Sequence, residues 1–270
     1  MTKLVSDLMH RGLITCSQET SLGQVAVLLT QHHVHALVVV DRDRRPVGLM
    51  SDIDLLAGEW LSADNESLGT MRRLTAGDLM SYPIITVDCN TPLNEAAKMM
   101  IEKDINRLLV TDKGQPIGMI ASSDFVASIA KAERLKRDTV ADVMSDAILV
   151  CRDKTPVGSA ARAMTTARYR SVLVVNAKGT PLGVVSEKDL MPLLQDSNLR
   201  EELTVADVMH ETLTVDMHAS LREAADLMIR HHHHRVVVVD QADPDAFPLG
   251  MVSSFDIVAE MARPGSVWQS

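Results

Sequence analysis

Four aspartates stand at one recurring position. Asp54, Asp189 and Asp256 each lie three residues after a serine (Ser51, Ser186, Ser253), and Asp124 lies three residues after Ala121, with Ser122 between. A carboxylate so placed can accept both hydroxyls of a ribose, while the serine and a following helix N-terminus offer donors to phosphate. The same pair also reads as an N-cap with an acidic first turn, because the serine satisfies open backbone N–H groups and the aspartate complements the helix dipole. Capping accounts for the serine. It accounts less well for aspartate at one register in all four copies, where glutamate or serine would serve the turn about equally.

Each of these pairs follows a Pro-apolar-Gly-apolar-apolar segment: Pro46 to Met50, Pro116 to Ile120, Pro181 to Val185 and Pro248 to Val252. The period of about 65 to 70 residues means one supersecondary unit used four times. Within each copy a short helix start (Asp7-Leu8-Met9, Asp78-Leu79-Met80, Asp142-Val143-Met144, Asp207-Val208-Met209) precedes a brief β-prone run. An amphipathic helix follows, with stripes Leu22/Val25/Ala26/Leu29, Leu93/Ala96/Ala97/Met100, Val157/Ala160/Ala161/Met164 and Leu221/Ala224/Ala225/Met228. Pro92 and Pro156 suit the first turn of two of these helices. The apolar runs 37–40, 108–110, 172–175 and 236–239 read as buried strands, and the Pro-x-Gly strand and a last helix complete a β-α-β-β-α unit.

A chain of 270 residues with 46% hydrophobic residues can bury two cores of ordinary size, and four units pairing two by two meet that prior. The expected modules are 1–135, with repeats at about 5–60 and 75–130, and 136–270, with repeats at about 139–194 and 204–262. Polar segments 61–74 and 131–138 read as connectors, the second as the domain boundary. A formal charge of −9 argues against a surface that wraps nucleic acid, and aromatics at 3% argue against stacked single strands. No run reaches the ~18 to 20 apolar residues of a membrane span, and no signal peptide is apparent, so a cytoplasmic protein without membrane or nucleic-acid partners is expected. Cys16, Cys89 and Cys151 form neither a CxxC pair nor a metal-ligand pattern; Cys16 and Cys151 share the first β-run and read as small buried residues. The sixteen methionines read mostly as core filler. No nucleophilic triad, Walker-type loop or paired-carboxylate cleft stands out, so the chain is read as non-enzymatic.

Taken together, the Asp-apolar-Met start, the β-α-β-β-α unit and the strand-end Gly followed by Ser-x-x-Asp resemble the cystathionine β-synthase (CBS) domain, in four copies from about Val5 to Ala262. The resemblance implies an α/β fold of repeats paired into two Bateman modules, a disc like the γ subunit of AMP-activated protein kinase, and clefts for adenosine-containing ligands. The ligand class it implies is AMP, ADP or ATP, with Mg²⁺ accompanying ATP; the regulatory signal would pass to an effector protein of unknown identity. S-adenosylmethionine, a diadenosine polyphosphate, or empty clefts in an interaction module are the alternatives, and the disc could close within one chain or in a homodimer.

Carried over residue by residue, the ribose-binding position falls on Asp54, Asp124, Asp189 and Asp256, and its neighbouring hydroxyl on Ser51, Ser186 and Ser253, with Ala121 departing. The first-strand threonine falls on Thr15, Thr86 and Thr214, with Val150 in repeat three. The phosphate-side basic residue falls on His35, Arg107, Arg170 and the pair His234/Arg235. Arginine grips phosphate with two donors, so the arginines are the better candidates; an ordinary solvated helix end is the alternative.

Histidines cluster in two copies at one register: His32, His33 and His35 in the first, His231 to His234 in the fourth. They read as native sequence rather than a purification tag. A polar helix C-terminus accounts for them, since imidazolium suits that end of the dipole. If the disc forms as the resemblance implies, both clusters would face its centre and could meet polyphosphate, respond to pH or hold a divalent metal. Metal is the weakest of these readings, because adjacent histidines on a helix face different ways and no chelating Asp, Glu or Cys accompanies them.

Overall fold

The computed structural model of the chain describes residues 3–52, 54–55, 74–129, 139–167, 169–195, 203–242 and 247–263. Most of the first expected connector and all of the second lie outside these residues. The opening segment ends in β1 (His10–Arg11). Repeat one continues with β2 (Thr15–Ser17), α1 (Leu22–His32), β3 (Ala36–Val40) and β4 (Pro46–Ser51). Repeat two comprises α2 (Ala76–Leu79), β5 (Thr86–Asp88), α3 (Leu93–Lys103), β6 (Arg107–Asp112), β7 (Gln115–Ala121) and α4 (Ser122–Ile129). Repeat three runs from a 3-10 turn at Val140–Asp142 through β8 (Val150–Arg152), α5 (Val157–Ala167), β9 (Ser171–Val175), β10 (Pro181–Ser186) and α6 (Glu187–Leu190). Repeat four has α7 (Val205–Val208), β11 (Thr214–Asp216), α8 (Leu221–His231), β12 (Arg235–Val239), β13 (Gly250–Ser253) and α9 (Ser254–Ala262).

In each repeat the first strand lies parallel to the second, which pairs antiparallel with the third. A parallel pair needs a crossover, and the amphipathic helix supplies it. All sixteen residues of the expected helical stripes are buried. Serine caps start two of these helices: Ser21 Oγ accepts from Gln24 N–H at 3.4 Å, and Ser220 forms a capping box with Glu223. Pro92 stands at the cap, one residue ahead of the first turn in which it was expected. Three helices end on a left-handed residue, His33, Asp104 or His232, so part of each histidine cluster forms a helix terminus. Cys16 is buried in β2 and Cys151 half-buried in β8, and burial raises the pKa of both thiols, as suits inert core residues.

The chain forms two compact units: 1–12, 85–148 and 212–270 make the first, and 13–84 with 149–211 make the second. Each draws on both sides of the boundary expected near residue 135. Within the first unit, α9 packs against α3 and α4 while α8 packs against α4, fusing repeats two and four around one core. Phe125 is its largest fully buried side chain. The second unit holds repeats one and three, each with a core of its own. In the first unit helix-to-helix burial thus joins alternate repeats, which sequence adjacency does not reveal.

The short segment that opens each repeat leaves the rest of that repeat and packs on its neighbour in sequence. β1 pairs antiparallel with β7, matching His10 with Met119 and Arg11 with Gly118. Ser81 pairs with Leu49, Ser145 with Met251 and His210 with Val184, each through two backbone bonds of 2.8 to 3.0 Å. The glycine of the Pro-x-Gly motif exists for this contact. A Cβ on Gly48 would stand 2.6 Å from Met80 Sδ and 2.9 Å from the Ser81 carbonyl oxygen. On Gly183 it would stand 2.7 Å from Met209 Sδ and 2.8 Å from the His210 oxygen, and on Gly250 2.7 Å from the Ser145 oxygen. Gly118 meets the His10 carbonyl in the same way. The Asp-apolar-Met segment and the Pro-x-Gly strand are therefore two halves of one contact between successive repeats.

Candidate functional site

The four aspartates all fall at the third position after the last residue of a third strand, where the following helix begins. Strand and helix together fix their register, and the local hydrogen bonds form a cap. Asp54 Oδ2 accepts from the Ser51 N–H at 2.8 Å and its hydroxyl at 2.6 Å. Asp189 Oδ2 and Asp256 Oδ2 accept the equivalent pairs from Ser186 and Ser253 at 2.6 to 2.7 Å. Asp124 Oδ2 takes only the Ala121 N–H, at 2.7 Å, because Ala121 has no hydroxyl.

Capping is thus real, and a comparison within the chain shows that it is not the whole account. Asp78 and Asp207 accept the same backbone and hydroxyl bonds from Thr75 and Thr204, and those bonds hold their carboxyls below the usual range. At Asp54, Asp124 and Asp256 burial outweighs the bonds and pushes the pKa up. Burial opposes ionisation of Asp189 as well, but bonds from His210 and Ser186 prevail and its pKa is lowered. Four carboxylates have been moved inward at a cost that capping does not require.

The opening segment of the neighbouring repeat lies against the strand that leads to each carboxylate, and for Asp54, Asp124 and Asp189 the residue after its Asp-apolar-Met supplies a side chain. His10 Nε2 donates to Asp124 Oδ1 at 2.8 Å, His210 Nδ1 donates to Asp189 Oδ2 at 2.9 Å, and Ser81 Oγ donates to Asp54 Oδ1 at 3.4 Å. Ser145 holds the same place against Met251, in the repeat of Asp256. His10, Ser81, Ser145 and His210 were not among the residues expected from the sequence. Their signal was the fourth letter of a motif already visible four times, but its target is in another repeat.

The basic residues grouped by sequence separate into two registers. Arg107 and Arg235 open the second strand, opposite Ala121 and Ser253, and their positive charge acts on Asp124 and Asp256. Ala36 and Ser171 hold that place opposite Ser51 and Ser186. His35, Arg170 and His234 lie one residue earlier, with Asn106. Their carbonyls accept from Asp52, Glu187, Ser254 and Ser122 N–H respectively, at 2.9 to 3.3 Å.

The residues bonded to these carbonyls come together within each unit. In the first unit Ser122 Oγ and Ser254 Oγ are buried 3.1 Å apart. In the second, Arg170 Nε lies 3.0 Å from Glu187 Oε1, its Nη2 lies 3.5 Å from Asp52 Oδ1, and His35 Nδ1 donates to Asp52 Oδ2 at 2.8 Å. Burial disfavours the Arg170 charge, but Glu187, Asp52 and Asp54 together hold its pKa above the ordinary value. Arg170 therefore sits in a buried ion-pair network with Asp52 and Glu187, which His35 joins by a hydrogen bond, whereas Arg107 and Arg235 accompany the site carboxylates. Thr15, Thr86 and Thr214 open the first strands at one register, opposite Val38, Leu109 and Val237, with Val150 opposite Leu173. All three threonines are exposed.

Among the described residues no three His, Cys, Asp or Glu side chains gather as a metal site, and no helix is long and apolar enough to cross a membrane.

Comparison with known proteins agrees with this geometry. The chain resembles a solved structure, protein MJ1225 of Methanocaldococcus jannaschii, described as a candidate archaeal homologue of the AMP-activated kinase γ subunit. The TM-score is 0.82 at 17% identity, covering 95% of this chain and 99% of that one, a likeness of fold. Among curated relatives, the uncharacterized protein MK0525 of Methanopyrus kandleri is 30% identical over 45% of this chain and 60% of its own length. The uncharacterized protein MJ1404 of M. jannaschii is 26% identical over 69% of this chain and 43% of its own length. The chain thus spans less than two thirds of either relative. The CBS domain model matches at 5–58, 76–131, 140–196 and 205–263, once for each structural repeat, so the chain belongs to the CBS domain family.

Proposed function

We propose that this chain is a non-enzymatic regulatory protein that binds AMP, ADP or ATP, with the ribose hydroxyls held by Asp54, Asp124, Asp189 and Asp256. The observation that carries this reading is the inward placement of four carboxylates at one register, each with a neighbouring repeat's segment laid against its strand. A ribose offers two adjacent hydroxyl donors to such a carboxylate. Beside Asp54, Asp189 and Asp256 the serine completes the cap and also offers its hydroxyl to the ligand. Ligand seated there touches two successive repeats, so occupancy changes how firmly the opening segment is held. That difference in affinity between two arrangements is the only means by which a ligand can shift them. Through it the chain signals to an effector protein, in the cytoplasm, as an energy sensor.

The test is calorimetric titration of AMP into the full chain and into a variant with all four aspartates changed to asparagine, which keeps an acceptor for each cap. Hydrogen bonds to charged groups contribute about 1.5 to 3 kcal/mol, so affinity should fall roughly tenfold or more. Equal affinity in the two proteins would remove the carboxylates from the ribose role.

A further inference from the structure

The four carboxylates share a backbone setting but differ in their charged neighbours. In the first unit Arg107 and Arg235 act on Asp124 and Asp256 from the second-strand position opposite residues 121 and 253. In the second unit that position holds Ala36 and Ser171, both buried and uncharged. A cation does act near Asp54, but it is Arg170, bound to Glu187 and Asp52. Asp52 in turn adds negative charge beside Asp54. At Asp189 the polar neighbour is His210, already donating to the carboxylate.

Resting on the adenine-ligand reading above, and narrowing its phosphorylated ligands to two of the four carboxylates, we propose that the four sites divide by phosphate. Asp124 and Asp256 hold the ribose of a phosphorylated adenosine whose phosphate meets Arg107 or Arg235, and Asp54 and Asp189 hold an adenosine whose 5′ substituent carries no phosphate. Guanidinium supplies paired, permanently charged donors matched to phosphate oxygens. A phosphate entering beside Asp54 would instead shed water next to Asp52, with Arg170, the cation acting there, tied to two carboxylates. The placement of arginine is therefore a specificity device distributed by unit: alternate repeats carry it.

Equilibrium dialysis of the full chain against labelled AMP and against labelled adenosine tests the division. Asp124→Asn/Asp256→Asn should lose AMP binding roughly tenfold or more and keep adenosine, while Asp54→Asn/Asp189→Asn should do the reverse. Arg107→Ala/Arg235→Ala should weaken AMP by a similar factor and adenosine less than about twofold, with Arg107→Lys/Arg235→Lys recovering part of the loss. Equal losses of both ligands in the arginine variant, or loss of AMP in the Asp54/Asp189 variant, would overturn the division while leaving the adenine reading in place. A wild-type chain that binds neither ligand would overturn both.

Discussion

Arg170 of the third repeat reaches Asp52 of the first at 3.5 Å and links it to Glu187, while His35 hydrogen-bonds the other oxygen of Asp52. Asp52 and Glu187 are almost wholly shielded from solvent, so this arrangement carries a large desolvation cost that only full pairing offsets. The equivalent place in the first unit is filled by the Ser122 and Ser254 hydroxyls, which ask for far less. One fold position has thus been solved twice with different chemistry.

Changing Arg170→Leu should take the guanidinium from both buried carboxylates, leaving Asp52 with His35, and destabilise the protein by about 3 to 5 kcal/mol. The denaturation midpoint measures this. A triple change of Asp52, Arg170 and Glu187 to apolar residues should recover most of the loss. Retention of wild-type stability by Arg170→Leu alone would show that the ion pairs are not holding the unit.

At Gly183 the incoming methyl of Gly183→Ala would press on Met209 Sδ and the His210 oxygen at 2.7 and 2.8 Å. Crowding of this kind costs about 1 to 3 kcal/mol. The opening segment of repeat four should shift, and the His210 imidazole should separate from Asp189. Chemical shifts of the His210 ring protons report the change; an unperturbed His210 signal would show that the segment does not depend on the missing Cβ.

The pH dependence of Asp256→Asn follows from the sign of the wild-type shift. Burial raises the folded-state pKa of Asp256, so its charged form costs stability at neutral pH. That cost fades as pH falls through the raised value and is gone below the unfolded value of about 3.9. The melting temperature of the asparagine variant relative to wild type should therefore be most favourable near pH 7 and decline toward pH 4. An offset that stays constant across this range would contradict the raised pKa.

Phe125 is fully buried where the helices of repeats two and four meet. Phe125→Ala should cost about 3 to 5 kcal/mol through lost burial and an unfilled cavity. Hydrogen exchange should place the loss in residues of both repeats, because their core is shared. Deprotection confined to repeat two would mean that the two repeats fold independently.

The sequence by itself determined the repeat unit, the face of every amphipathic helix and the register of the four aspartates. These follow from local rules: apolar spacing sets which side of a helix is buried, and a strand followed by Ser-x-x-Asp sets a cap. It also marked the glycine of Pro-x-Gly without revealing why glycine is required there. Only the tertiary structure decided that Gly183 makes room for Met209 and His210, that His10 serves Asp124, and that Arg107 and Arg170 do different work despite similar places in the sequence. Those relationships join residues from different repeats or turn on a one-residue offset between strands. Period and composition are blind to both, since a single residue along a strand redirects a side chain to the opposite face and partners between repeats are chosen by packing.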